Sequence, residues 1–296
     1  LMPMLPGSTP KKDLEMLKEI FSDADFRPDM IKIYPCSVVK NSELYTWFQE
    51  GKYQAYPTKK LLHILKKFKA TVPRYVRISR LIRDIPGQYI QEGNKVTNLR
   101  QVIQEEMRKE GLKCNCLRCR EIGHVDANLK SKISNHKLKM FIDEYKASGG
   151  TEYFLSFEDC ERNVVFGFCR LRINGPSPFL RGNAKGLPSI SAKNGKPPVA
   201  PLGKGGEPNQ AFIRELHIYG QLVEIGKRKL GSSQHQGWGK KLVNEAEKIA
   251  KRAKVEKIAV ISGVGVRDYY RKLGYRLEGT YMVKSLKQST NKRRGQ

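Results

Sequence analysis

A glycine-containing stretch near the C-terminal end has the residue types of an anion-binding loop. Gln234-His235-Gln236-Gly237-Trp238-Gly239 stands directly before an amphipathic run over residues 242–253. Glycine has no Cβ, so backbone N–H groups approach an anion closely. The N-terminus of the following helix adds unpaired N–H donors and the positive end of the helix dipole. The stretch therefore predicts a pyrophosphate-binding loop that opens into a helix.

A second group of reactive residues is a cysteine cluster. Cys114, Cys116 and Cys119 fall within six residues, and His124 follows five positions later. Zinc binds four Cys or His ligands tetrahedrally in structural sites, and near-neighbour thiols of a reducing compartment do not read as a disulfide framework. We predict a structural zinc site of these three cysteines with His124. Cys36 is the alternative fourth ligand.

The charge balance favours a polyanionic partner. The chain has 56 Lys and Arg against 29 Asp and Glu, a net charge of +27, and phosphates are the usual partners of such a surplus. RNA or DNA is favoured over a membrane, because no basic amphipathic helix dominates. No apolar run approaches a membrane span, and no signal peptide is visible, so we expect a cytoplasmic protein. Four arginines recur at every third position and are expected to contact RNA phosphates, unless they form a solvated strand edge: Arg74, Arg77, Arg80 and Arg83.

Alternating strands and helices must position these residues in the first 100 positions. Apolar spacing predicts helices over 13–21, 42–48, 58–68 and 99–109, and strands over 31–35 and 75–78. This order suggests about three parallel βα units, too few to close a barrel.

The second half reads as a mixed sheet with one helix before its last strands. Strands are predicted over 151–159, 164–173, 212–219 and 257–262. Residues 174–209, rich in Gly, Pro, Ser and Lys, are expected to form a mobile loop.

Several stretches together resemble a known family. The order strand, glycine loop, helix and Tyr269-Tyr270-Arg271-Lys272-Leu273-Gly274-Tyr275 resembles the acetyl-CoA site of GNAT-type acetyltransferases. With Arg214-Glu215-Leu216-His217 and Ile261-Ser262-Gly263-Val264-Gly265, it is similar to the Elongator catalytic subunit family of radical-SAM tRNA uridine acetyltransferases, in its prokaryotic type. Met4-Leu5-Pro6-Gly7-Ser8-Thr9 and Arg83-Asp84-Ile85-Pro86 resemble the radical-SAM domain of the same family.

The resemblance implies an α/β architecture of three parts. These are the C-terminal half of a radical-SAM (βα) barrel over 1–100, a zinc-binding linker over 101–150 and a GNAT-type acetyltransferase domain over 151–284, followed by a basic tail over 285–296. It implies an acyltransferase that attaches an acetyl-CoA-derived unit at C5 of the tRNA wobble uridine. S-adenosylmethionine and a 4Fe–4S cluster are implied for the intact family protein. The three-cysteine motif of that cluster does not occur before residue 100, so we expect an N-terminally truncated chain without the radical step.

The resemblance also assigns site residues. A tyrosine hydroxyl at 269 or 270 would contact the CoA sulfur or protonate the leaving thiolate, although core packing is the alternative for either ring. Glu215 and His217 share a strand face and form a base, a polar latch or ordinary sheet surface. The expected cofactor-binding residues are Leu216, His217, Ile218, Gln234, His235, Gln236, Gly237, Trp238, Gly239, Lys240, Tyr269 and Tyr270.

Two other functions remain open from the sequence. A protein lysine acetyltransferase would use Glu215 as its base. An RNA-binding scaffold would keep a CoA pocket without catalysis. If the chain is a tRNA uridine acetyltransferase, its expected partners are tRNA and either a second copy of the chain or an Elongator-like complex. No membrane partner is expected.

Overall fold

The computed structural model describes residues 1–125, 138–174, 210–219 and 237–287. The chain divides into two compact units, one of Leu1–Lys137 with Asp159–Val165 and one of Leu138–Glu158 with Phe166–Gln296. The region expected to be a linker over 101–150 is therefore shared between the units, with the cysteines in the first. Most of the expected loop over 174–209 and of the basic tail over 285–296 lies outside the described residues.

The first unit is built from short strands and helices. Its strands form two separate pairs, since β1 is parallel to β3 and β2 is antiparallel to β4. The expected parallel arrangement is thus present in one pair and absent from the other. The elements are α1 (Pro10–Ser22), β1 (Met30–Lys32), β2 (Ser37–Val39), α2 (Glu43–Gln49), α3 (Thr58–Thr71), β3 (Arg77–Arg80), β4 (Ile90–Gly93), α4 (Leu99–Lys109) and α5 (Leu117–Arg120).

Helix α3 forms for the reason that its sequence indicates. Leu61, Ile64, Leu65 and Phe68 recur at helical spacing and are all buried, which is the pattern of a helix that packs one stripe against a core. The same face also buries Lys69, whose side chain is fully enclosed. Burial of an ammonium group requires compensating partners, and these come from the cysteine segment described below.

The second unit is a seven-stranded mixed sheet with the order β10-β11-β9-β8-β7-β6-β5. Strand β8 is antiparallel to β7 and parallel to β9, and β11 is antiparallel to both β9 and β10. Strand β5 was not predicted from the sequence. The elements are β5 (Leu138–Ala147), β6 (Gly150–Asp159), β7 (Val165–Asn174), β8 (Gln210–Ile218), α6 (Trp238–Arg252), β9 (Lys257–Ile261), α7 (Arg267–Lys272), β10 (Arg276–Glu278) and β11 (Tyr281–Ser285).

Strand β8 carries a bulge at its centre. Arg170 lies opposite Glu215 and Leu171 lies opposite Ile213, so Arg214 has no opposite residue on β7. The guanidinium of Arg214 pairs with the buried carboxylate of Glu152 at 2.8 Å. A bulge of one residue exchanges the two faces of the strand beyond it, so Ile213 and Leu216 share a face.

Strands β8 and β9 part after this bulge. Their parallel pairing covers Gln210–Ile213 and Lys257–Val260 and ends there. Strand β8 remains paired with β7 as far as Ile218. The segment 214–218 is therefore hydrogen-bonded to β7 and not paired with β9, and the side of this segment that faces away from β7 is termed the cleft.

Candidate functional site

Helix α6 begins with an open, glycine-capped tip. Gly237 is the N-cap residue in the left-handed conformation, with φ of 70°, and no side chain caps the helix among the described residues. It is exposed, and a Cβ built on it would meet nothing within 4 Å. The first turn contains no acidic residue, and Lys240 is exposed there. Unpaired N–H groups at such a tip bind anions.

Trp238, expected to contact the cofactor, anchors this tip instead of extending from it. It is buried and its ring packs against Phe157 at 5.8 Å and Phe166 at 5.7 Å, measured between centroids. These contacts fix the first turn of α6 on the sheet. The other loop residues of the prediction, Gln234, His235 and Gln236, lie outside the described residues.

Gly239 marks the place where α6, β8 and α7 approach one another. A Cβ built on it would lie 2.8 Å from the Tyr269 hydroxyl and 3.7 Å from Ile218 Cγ1. The first distance is shorter than carbon and oxygen atoms tolerate without a shift. Glycine at this position therefore keeps the Tyr269 hydroxyl beside the helix tip and the parted strand β8.

The two neighbouring tyrosines have different environments. Tyr269 is 38% exposed, whereas Tyr270 is buried and packs against Tyr275 with a centroid distance of 5.7 Å. Burial raises the pKa of both hydroxyls, so each keeps its proton at neutral pH. The structure thus brings Tyr269 to the cleft and places Tyr270 in the core.

Glu215 and His217 lie on the face of β8 opposite to Leu216 and Ile218. The Glu215 carboxylate accepts a hydrogen bond from Arg170 Nε at 3.0 Å, and Arg170 is buried. The exposed ring of His217 stacks on Phe168 at a centroid distance of 6.0 Å. Because of the bulge, Ile218 approaches Gly239, whereas Glu215 and His217 do not share the Tyr269 face.

Ser262 is a candidate site residue that the sequence reasoning did not select. It directly follows β9, beyond the last pair with β8, and its Oγ is buried with no hydrogen-bond partner among the described residues. The signal that could have identified Ser262 from the sequence was its position directly after the last residue of strand β9. An unpaired hydroxyl, an open helix tip and a parted strand edge fit an elongated ligand that carries both amides and phosphates, such as acetyl-CoA.

The three cysteines of the predicted metal site do come together. The Sγ atoms of Cys114, Cys116 and Cys119 all lie within 4.8 Å of one another. Hydrogen bonds from the Cys114 and Cys116 thiols lower the pKa of Cys119 strongly, and the nearby Lys69 ammonium adds to this effect. This donor set fits a thiophilic ion such as Zn²⁺.

Lys69 and Gln104 complete the surroundings of the cysteines. Lys69 Nζ lies 3.7 Å from Cys119 Sγ, and Gln104 Nε2 donates to the same sulfur at 3.4 Å. Burial lowers the pKa of Lys69, but the three cysteines outweigh burial and the net shift is upward. Three thiolates and one Zn²⁺ would carry a net charge of −1, which this ammonium balances.

The expected fourth ligands are not placed with the three thiols. Among the described residues the metal-binding group contains only the cysteines. His124 belongs to a short 3₁₀ turn, Ile122–His124, and its Nδ1 lies 3.3 Å from Glu121 Oε2. Cys36 is buried by β2 beside Tyr53. Closeness in sequence therefore did not place His124 in the cluster.

The four predicted RNA-binding arginines fall into two classes. Arg74 Nη1 donates to the Arg162 carbonyl at 2.7 Å, and Arg77 pairs with the buried Glu121. Both are partly buried and hold the first unit together. Arg80 and Arg83 are exposed, with Arg80 paired to Asp84 and Arg83 5.8 Å from the Tyr34 ring centroid.

Residues 28–109, within the first unit, match a family model described as Radical_SAM C-terminal domain. No helix in the described part of the chain has the length and apolar character to cross a membrane.

Nearly the whole chain is similar to one group of proteins. It is 41% identical over 288 residues to the tRNA uridine(34) acetyltransferase of Methanocaldococcus jannaschii, covering 97% of this chain and 49% of that protein. It is 36% identical over 288 residues to human Elongator complex protein 3, covering 97% and 48%. A solved structure, archaeal Methanocaldococcus infernus Elp3 with an N-terminal deletion, superposes with a TM-score of 0.78 at 40% identity, covering 96% of this chain and 62% of that one.

These matches confirm the resemblance to the Elongator catalytic subunit family, to which the chain is homologous over 97% of its length. The chain spans about half the length of the curated relatives it matches.

Proposed function

We propose that this chain carries the acetyl-CoA-binding and tRNA-binding parts of an acetyltransferase that modifies C5 of the wobble uridine. The relative from Methanocaldococcus jannaschii is a tRNA uridine(34) acetyltransferase, which supports the acetyl transfer and the tRNA substrate, and the C5 position is part of the proposal. The observation that supports it most directly here is the open tip of α6 at Gly237, beside the parted strand β8 and the Tyr269 hydroxyl. The likeness to Elongator complex protein 3 favours a cytoplasmic, Elongator-like assembly for the intact protein.

Each part of the cleft has a chemical task in this proposal. The N–H groups after Gly237 bind the diphosphate, with Lys240 adding positive charge. The edge of β8 at Leu216 and Ile218 and the hydroxyl of Ser262 bind the amide-containing arm. When bound, acetyl-CoA supplies an acetyl group activated as a thioester. In the hydrolysis of the thioester, water would add to the acetyl carbon as the C–S bond breaks, and Tyr269, which stays protonated, would donate its proton to the leaving sulfur and be reprotonated by the proton that the water releases.

The cysteine group has a structural task. Cys114, Cys116 and Cys119 would hold Zn²⁺, with Lys69 and Gln104 orienting the Cys119 sulfur. Three buried or half-buried thiolates backed by an ammonium leave little access for a substrate, which favours a structural over a catalytic ion.

No step of this proposal uses a 4Fe–4S cluster or S-adenosylmethionine. Such a cluster requires several thiolate ligands, and residues 1–100 contain one cysteine, Cys36. Cys114, Cys116 and Cys119 are separated by one and two intervening residues. This spacing differs from that of the family motif for the cluster.

Calorimetry with acetyl-CoA, followed by thioester hydrolysis assays with tRNA and with a lysine-rich peptide, tests the function. We expect acetyl-CoA binding and hydrolysis that tRNA stimulates. Stimulation by the peptide but not by tRNA would instead support a protein lysine acetyltransferase. Failure to bind acetyl-CoA, with tRNA binding retained, would support the RNA-binding scaffold.

A further inference from the structure

An open pocket in the first unit is lined by three arginines. It has a volume of about 340 Å³ and lies where β3 ends and α4 begins. Arg80 comes from the end of β3, Arg100 from the first turn of α4, and Arg118 from α5. Ser79, Thr97 and Gln101 add hydroxyl and amide groups to the same wall.

Two of these guanidinium groups have buried nitrogens without partners. Arg100 Nη2 donates to the Ile78 carbonyl at 2.7 Å, but its Nη1 is buried with no acceptor among the described residues. Arg118 Nε is also buried, and no described residue accepts a hydrogen bond from it. The acidic residue of the pocket wall, Asp84, pairs with Arg80. Buried donors without partners are uncommon and call for a ligand or a specific reason.

The backbone adds to the positive potential of the pocket. Helix α4 has no side-chain cap at Asn98 and no acidic residue in its first turn. Its positive dipole end therefore lies among Thr97, Arg100 and Gln101. Guanidinium groups match the geometry of phosphate oxygens and bind them with charge-assisted hydrogen bonds.

We propose that this pocket binds a phosphate group, with Arg118 and Arg100 as its principal donors, and that the phosphate belongs to an RNA backbone. The RNA source rests on the proposed function, whereas the phosphate chemistry follows from the pocket itself. Neither Arg100 nor Arg118 was identified from the sequence, because neither belongs to the periodic set Arg74, Arg77, Arg80 and Arg83. Arg74 and Arg77 are engaged in contacts within the first unit. The pocket therefore takes the phosphate-binding role that the sequence analysis gave to these two arginines.

The test compares Arg118→Gln with Arg108→Gln in the full chain. Arg108 is exposed near the C-terminal end of α4, so its variant removes the same charge outside the pocket. The binding of a fluorescently labelled anticodon stem–loop RNA is followed by anisotropy at several salt concentrations. Competition by inorganic pyrophosphate is measured in parallel. Thermal unfolding verifies that Arg118→Gln folds, as expected for a side chain that forms no ion pair with any residue the structure describes.

We expect Arg118→Gln to weaken RNA binding roughly ten-fold or more, the effect of one charge-assisted hydrogen bond, and to lower the salt dependence by about one counterion. Arg108→Gln should change affinity less than about two-fold. Equal effects of the two variants, or no effect of Arg118→Gln on either RNA or pyrophosphate, would overturn the proposal.

The pyrophosphate arm separates this proposal from the proposed function. Arg118-dependent pyrophosphate binding by a wild-type chain that does not bind RNA would support the phosphate site while rejecting its RNA source and the tRNA function. Wild-type RNA binding that is insensitive to Arg118 would reject the pocket as an RNA-binding site and leave the tRNA function standing.

Discussion

The cysteine group of the first unit and the α6 tip of the second both bring polar atoms together. The polar atoms of the cysteine group have partners inside the protein, whereas those of the α6 tip face solvent. Around Cys119 the partners are internal, since Lys69 and Gln104 approach its sulfur and Lys69 is fully buried. At Gly237 no side chain in the described part of the chain caps the donors, and the residue is exposed.

This difference indicates which ligand each region is suited to hold. A buried site with internal charge balance retains its ligand and adds the binding free energy to folding. An open tip exchanges its ligand with solvent, because its donors are satisfied by water when the ligand leaves. The first arrangement suits a resident ion and the second a cosubstrate consumed in each turnover.

Cys116→Ser breaks the closed region and should have the largest effect. Cys116 is fully buried, and loss of one thiolate from a structural zinc site removes most of a binding free energy that is of the order of 10 kcal/mol or more. We expect about one zinc per chain in the wild type and none in the variant, measured with a chromogenic chelator, with a lower unfolding temperature. Cys160→Ser, at an exposed thiol outside the group, is the control. Unchanged zinc content in Cys116→Ser would contradict the metal site.

Tyr269→Phe tests the chemical role of the open region. Loss of a positioned proton donor lowers turnover by about 100-fold or more, while acetyl-CoA affinity changes little. Burial raises the pKa of Tyr269 above its ordinary value, so the donor keeps its proton at neutral pH and loses it at a higher pH than a free tyrosine does. The rate in wild type should therefore show no Tyr269-dependent fall around neutral pH. A Tyr269→Phe variant with wild-type turnover would remove Tyr269 from the mechanism.

Gly239→Ala tests the close approach at the helix tip. The new methyl group would compete with the Tyr269 hydroxyl, which lies 2.8 Å from the Cβ position. We expect acetyl-CoA binding to weaken by roughly ten-fold, measured by calorimetry. Alanine favours the helix over glycine by about 1 kcal/mol, so weakened binding without loss of stability points to the site. Gly123→Ala, where a Cβ meets nothing within 4 Å, should bind normally.

Lys69→Met tests the charge balance of the closed region. Loss of a group that orients a metal ligand typically lowers metal affinity 10- to 100-fold, and a zinc competition assay would measure this change. Lys67→Met, on the exposed side of the same helix, provides the matched control. Equal zinc affinity in the two variants would leave Lys69 with a packing role alone.

Much of the scaffold could be predicted because local patterns determined it. Helices α3 and α4 follow from apolar spacing, and the cysteine group follows from the spacing of its thiols. Strand β5 was missed because it lies at the edge of the sheet, where its residues are mostly half-buried or exposed. An edge strand with polar residues on both faces lacks the alternation on which strand prediction depends.

The missed site residues depend on contacts between distant segments. Lys69 looks like any other basic residue of α3 until the cysteine segment, about 50 positions later, encloses it. His124 shows the converse, since a residue near the cysteines in sequence turns towards Glu121 instead. Arg118 has no periodic neighbours, and only the meeting of β3, α4 and α5 reveals its pocket.

The extra residue in β8 and the bulge that accommodates it determine which side chains of the strand face the helix tip. Side chains alternate every second position, so a regular strand that kept Arg214 without the bulge would interchange the two faces for every residue after it. Leu216 and Ile218 would then leave the side of the helix tip, and Glu215 and His217 would occupy it. The three-residue step from Ile213 to Leu216 therefore determines which side chains of β8 lie on the side of the helix tip.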